Sequence, residues 1–214
     1  KYMKQKSTYK LIGVILIVVA LVLFFAFGFT APPEDASRAQ INQQSEEDVS
    51  SESTTEETIN LGGTEETEEK TMISQENSFF EFEGYGPGKS HIGTFDEFEV
   101  SFSVSDGVIT GVEGTIQADS VNTGIGGLDN HLKNDDFFDV TVYPEITFTS
   151  SQVDATSGEI TGMLDFHGVE HEVTFPATIT DTTITADFVL DTTPFNIKYT
   201  GVNKEVRIAF EFSV

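Results

Sequence analysis

The sequence predicts an all-β fold: an antiparallel barrel of about eight strands with a short helix, preceded by one transmembrane helix and a disordered acidic tether. Three observations carry this. From residue 72 onward, apolar residues alternate with polar ones at period two, between closely spaced turn signals. Residues 11–31 are a run of 21 without a charge. The stretch between them is acidic, polar and free of aromatic residues. The expected units are therefore a basic segment at 1–10, a span at 11–31, a linker at 32–71 and a barrel at 72–214.

Charge separates these units. Of 214 residues, 11 are Lys or Arg and 36 are Asp or Glu, a net of −25. Residues 1–33 hold Lys1, Lys4, Lys6 and Lys10 and no acid; 34–70 hold 12 acids against Arg38 and Lys70; 71–214 hold 24 acids and five bases. The uncharged run would span roughly 31 Å as a helix, enough for a bilayer core. A cleaved signal peptide has a shorter apolar region, about 7–15 residues, and a small residue before the cut. Phe29 stands there instead, and Pro32 and Pro33 follow. An uncleaved anchor is expected, with the lysines cytoplasmic and the barrel outside the cell membrane, by the positive-inside bias. The linker, rich in Glu, Ser, Thr and Gln, cannot bury enough apolar surface to offset its ordering entropy. As a coil it would reach roughly 35 Å.

The strands follow in order. One opens near residues 79–83. Phe98, Val100, Phe102 and Val104 share a face opposite Glu97, Glu99, Ser101 and Ser103. Asp106 and Gly107 make a hairpin turn into Val108, Val112, Ile116 and Ala118. Ile146 and Phe148 begin another strand. Ser157 and Gly158 turn the chain into Ile160, Leu164 and Phe166, and His167 and Gly168 turn it again into Val169, Val173 and Phe175. The last two runs carry Ile184, Ala186, Phe188 and Leu190, then Val206, Ile208, Phe210 and Phe212. Acids and hydroxyls occupy the outward positions, so the apolar face points inward and the outside is not a lipid-facing surface. Closure removes exposed edges, and about eight strands leave room for packed side chains or one small ligand. Between residues 128 and 138, Leu128 and Leu132 stand four apart, the spacing of a short helix across one end of the barrel.

Several function classes are excluded or disfavoured. Without cysteine there is no disulfide, thiolate metal site or cysteine nucleophile. The acidic balance argues against nucleic-acid binding. No nucleophile elbow, phosphate loop or dinucleotide fingerprint is present, so no catalytic residue and no enzyme activity are expected. His167 and His171 stand four apart, and Asp129 and His131 two apart, but a turn at His167 breaks the geometry a metal would need. No metal and no cofactor are expected.

Five segments together resemble the YceI-like family of lipocalin-like, polyisoprenoid-binding proteins. They are Ser90 to Phe95 (SHIGTF), Ser120 to Gly124 (SVNTG), Asp129 to Val140 (DNHLKNDDFFDV), Tyr143 to Ser150 (YPEITFTS) and Gly162 to Val169 (GMLDFHGV). The resemblance covers roughly residues 74–214. It departs at Leu128, where the family often has Arg, and at Glu170, His171 and Glu172, where it often has Thr, a basic residue and Pro. It implies an eight-stranded lipocalin-like barrel with an apolar tunnel for a polyisoprenoid lipid or isoprenoid quinone. Rigid aromatic walls suit such a hydrocarbon, and 15 of the 19 phenylalanines lie beyond the span. The candidate lining is Phe98, Phe102, Val112, Ile116, Phe148, Leu164, Phe166, Val173, Phe188, Phe210 and Phe212. His91, His131 and His171 are the polar candidates near the ligand. The expectation is a membrane-tethered, extracytoplasmic lipid-binding protein that holds or shuttles its ligand. The alternative is a non-enzymatic interaction module at the cell surface with a filled barrel.

Overall fold

The computed structural model describes residues 30–42 and 69–214. The basic segment 1–10, the span up to residue 29 and the middle of the tether lie outside the described residues. No helix among the described residues is long and apolar enough to cross a membrane.

Thirteen strands are present among the described residues: β1 (Gln40–Asn42), β2 (Glu69–Met72), β3 (Phe79–Gly86), β4 (Lys89–Phe95), β5 (Phe98–Ser105), β6 (Val108–Gln117), β7 (Val121–Asn122), β8 (Glu145–Asp154), β9 (Glu159–Phe166), β10 (Val169–Pro176), β11 (Thr178–Ile179), β12 (Thr183–Asp191) and β13 (Glu205–Ser213). One α-helix, α1 (Gly126–Leu132), lies where the leucine spacing put a short helix. All eight expected strands are there. The long strand missing from that expectation is β4. Its inward positions hold His91, Gly93 and Phe95, so it carries no apolar alternation. Gly93 is required by packing: a Cβ there would run into the ring of Phe82, which lies over it.

The strands do not close into one continuous eight-stranded barrel. They form two antiparallel sheets, β1-β10-β9-β8-β6-β5-β2 and β11-β12-β13-β3-β4-β7. The chain changes sheet five times, after β2, β4, β6, β7 and β10, and two seams lie between the sheets. One is crossed by a bond from the Ser74 N–H to the Ser213 carbonyl at 2.7 Å. The other is filled by the segment just before and including β1. Ile41 pairs with Val173 of β10, while Arg38 bridges Val189 of β12 in parallel. Ala39 N–H donates to the Val189 carbonyl at 2.9 Å, and Val189 N–H to that of Ser37 at 2.7 Å.

This corrects the expected tether at both ends. Residues 32–42 are not a free linker; they run along the barrel and end in β1. The other end is β2, paired with β5 from Glu69↔Val104 to Met72↔Ser101. The acidic stretch between them, residues 43–68, lies outside the described residues. Thr30 and Ala31, expected at the end of the span, also belong to the folded part. Apolar side chains reverse the composition argument here: Ala39 and Ile41 pack on the main core, which recovers part of the ordering cost.

The inward faces of both sheets make the main core, with Phe102, Ile160 and Phe195 fully buried. A second cluster of Phe95, Val121 and Leu132 joins α1 to β4 and β7.

Candidate functional site

The two inward faces do not meet completely. They enclose a cavity of about 290 Å³ whose wall is almost wholly apolar. β3 contributes Phe80 and Phe82, β8 Ile146 and Phe148, β12 Ile184, Phe188 and Leu190, and β13 Val206, Ile208, Phe210 and Phe212. The rings brace one another: Phe175 on Phe188 and Phe210 on Phe212 stack at 4.6 Å between centroids. Such stacking fixes wall side chains that could otherwise collapse inward.

At one end of the two sheets the cavity wall passes from strands to a hairpin, a loop segment and α1. Its rim is built from the β3–β4 hairpin with Gly84, Tyr85, Gly86 and His91, from the segment holding Val202, Asn203 and Lys204, and from α1 with Leu128 and Leu132. Backbone bonds lock these pieces together. Asn203 N–H donates to the Tyr85 carbonyl at 2.8 Å, and Tyr199 N–H to that of Asp136 at 3.0 Å. Asp129 ties α1 to the loop before it, accepting from the Thr123 N–H at 2.7 Å and hydroxyl at 2.6 Å. Those bonds favour the charged carboxylate and hold Asp129 below the ordinary aspartate range. Tyr85 is buried, its hydroxyl donates to Glu83 at 3.0 Å, and its pKa is pushed up to about 12, by burial first and Glu83 second.

Nine of the eleven expected lining residues stand on the cavity wall: Val112, Ile116, Phe148, Leu164, Phe166, Val173, Phe188, Phe210 and Phe212. Two do not. Phe102 is fully buried in packed core, and Phe98 packs on Phe212 at 5.9 Å from outside the wall. Of the polar candidates only His91 reaches the cavity. His131 stands edge-on to Phe137 and Tyr199, and His171 edge-on to Phe195. His167 is 4% exposed, packed on Tyr143 in the β9–β10 turn, with neither ring nitrogen partnered. Burial holds it below the ordinary imidazole range. No three His, Asp or Glu side chains come together as a metal-holding group among the described residues.

Sequence reasoning missed Lys204, the one cationic side chain on the cavity wall. Its ammonium donates to the carbonyls of Ile197 at 2.8 Å and Tyr199 at 2.7 Å, and no carboxylate pairs with it among the described residues. Two of its three N–H donors are accounted for, leaving one. Nothing local marks it in the sequence: it precedes the last alternating strand, and only the fold turns it toward the rim.

Comparison with known proteins agrees with this architecture. Residues 69–214 match the family model of the YceI-like domain. Protein YceI of Shigella flexneri is 38% identical over 89 residues, 40% of this chain and 47% of that protein. A UPF0312 protein of Pseudomonas aeruginosa is 36% identical over 107 residues, 48% of this chain and 56% of that protein. The matches thus span about half the length of these curated relatives. Among solved structures, BcnA of Burkholderia cenocepacia superposes with a TM-score of 0.60 at 22% identity, over 66% of this chain and 99% of that one. A polyisoprenoid binding domain from Saccharophagus degradans, implicated in plant cell wall breakdown, gives 0.52 at 18% identity, over 69% and 99%. Both likenesses bear on the fold.

Proposed function

Since the chain belongs to the YceI-like family, we propose that its barrel holds the hydrocarbon chain of a polyisoprenoid, a quinone tail or a polyprenyl carrier, as a non-enzymatic binding protein at the outer face of the membrane. The observation that carries this is the cavity itself. A void of about 290 Å³ walled by phenylalanine, leucine, isoleucine and valine offers a hydrocarbon many contacts and almost no polar demand. Each square ångström of hydrocarbon it takes from water contributes about 25 cal/mol. The rim is different in kind. His91, Asn203 and Lys204 place donors where a polar head group would emerge. The solved relative named as polyisoprenoid binding supports the same ligand class. A filled barrel that acts only as an interaction module has no use for such a void.

Extraction of the full chain, purified from cells that make isoprenoids, tests the reading. Organic extracts analysed by mass spectrometry should contain a polyprenyl lipid or quinone in near-equal amount to protein. Extracts with no isoprenoid, together with no uptake of added polyprenyl lipid, would reject it.

A further inference from the structure

The chain enters the fold at the rim of its own cavity. Thr30 N–H donates to the Gly86 carbonyl at 3.1 Å, and its hydroxyl lies 3.0 Å from that carbonyl and 2.8 Å from the Lys89 carbonyl. Gly86 is a rim residue, and Gly86 and Lys89 pair at the tip of the β3–β4 hairpin. From there the chain runs along the barrel to the seam between β10 and β12. The family match begins only at residue 69, so this attachment lies outside it.

Thr30 belongs to the uncharged run that begins at Leu11, so residues 11–29 are the part of that run that precedes the fold. Residues 11–29 carry no charge, and as a helix they span roughly 28 Å, close to a bilayer core of about 30 Å. No linker separates that run from the rim: one residue reaches at most about 3.6 Å. We propose that the barrel stands on the bilayer that holds residues 11–29 with its cavity mouth against the lipid, pinned there by Thr30, so that a lipid passes between leaflet and cavity without crossing water. The proposal rests on reading residues 11–29 as a membrane span, and it goes beyond the ligand reading by fixing which surface meets which partner.

The charges of the two ends favour the same orientation. At the far end, the turns after β5, β8 and β11 carry Asp106, Asp154, Glu159 and Asp181 and no base. Four of the five bases of residues 71–214 stand around the mouth: Lys89 in the hairpin, Lys133 after α1, and Lys198 and Lys204 in the segment before β13. Asp129, Asp135, Asp136 and Asp139 share that end, which makes it mixed in sign rather than basic. Salt screens these charges over about 8–10 Å, and the uncharged Ile125, Gly126 and Gly127 are free to approach head groups, with Ile125 48% exposed. The acidic turns of the far end would be repelled by an anionic surface.

The absence of cysteine makes the test direct. Full chain carrying Ile125→Cys at the mouth or Ala155→Cys at the far end, each labelled with bimane, is reconstituted into phosphatidylcholine vesicles containing a lipid with a head-group nitroxide. Quenching of the Ile125 label should exceed that of the Ala155 label several-fold. A flexible Gly-Ser insertion of about 20 residues between Phe29 and Thr30 should reduce the difference toward equality. Equal quenching in the intact chain, stronger quenching at the far end, an unchanged difference after the insertion, or failure to enter vesicles would each overturn the proposal. Bound polyprenyl lipid is measured separately on the same samples by native mass spectrometry. Its absence with the quenching difference intact would remove the ligand reading and leave the docking in place.

Discussion

Ile41 lies directly opposite Val173 across the β1–β10 pairing, and Val173 is a wall residue of the cavity. A residue outside the family match thus supports the wall from the seam side. Ile41→Ala should therefore destabilise the protein by about 1–2 kcal/mol, at or below the lower end for buried isoleucine because Ile41 is only half-buried. Thermal denaturation should show a fall of about 2–8 °C. Hydrogen exchange should speed up at Val189, which donates into this segment. Unchanged exchange there would mean that the segment does not hold the seam.

His167 predicts a pH dependence. Burial keeps its proton affinity below the ordinary value of 6.5. The unfolded chain then binds a proton that the folded chain resists, so stability is complete above about pH 6.5 and declines as pH falls toward the depressed folded value. His167 has a φ of 55°, a conformation asparagine tolerates, so His167→Asn is the suitable control. Melting temperature should fall between pH 7.5 and pH 5.5 in the native chain and fall less in the variant. Equal losses would assign the pH effect to other groups.

Lys204 predicts head-group selectivity. Replacement by methionine removes the one cation of the wall and the donor left over from its two carbonyl bonds. Loss of a hydrogen bond to a charged group, about 1.5–3 kcal/mol, should weaken binding of a polyprenyl phosphate roughly tenfold or more. Affinity for a neutral isoprenoid quinone should change much less. Equal losses for both ligands would make Lys204 a strut for residues 197–199 instead of a head-group contact.

Gly93 predicts a packing effect on capacity. Gly93→Ala displaces the Phe82 ring from its place over Gly93, where it packs with Phe95 and Phe138 at 5.5 and 6.4 Å between centroids. Overpacking of this kind costs about 1–3 kcal/mol. Both the melting temperature and the amount of lipid bound per chain should fall. A variant with native stability and native loading would show that the ring has room to move.

What the sequence reveals depends on which signal each element uses. Strands facing the cavity on one side and water on the other write their alternation openly, as Phe210 and Phe212 do against Glu211. β4 is silent because Gly93 and His91 fill its inward places, and the reason for Gly93 lies 11 residues away in Phe82. β1 and β2 are silent because three or four polar-rich residues within an acidic stretch carry no periodicity; a partner strand and a half-buried Ile41 decide them. In the site, the phenylalanines were legible as an inward face. The face alone does not separate Phe102, sealed in packed core, from Phe188, which borders the cavity. That difference depends on how far apart the two sheets stand at each level.

Native mass spectrometry of the full chain, released from detergent micelles after incubation with a polyprenyl phosphate, tests the central claim most directly. Leu164 stands on the cavity wall opposite Phe148, so Leu164→Trp fills the void from within. The account predicts one lipid per native chain and little or none on the variant, with both proteins folded by circular dichroism. A native chain that stays bare, or a variant that binds as well as the native chain, would contradict it.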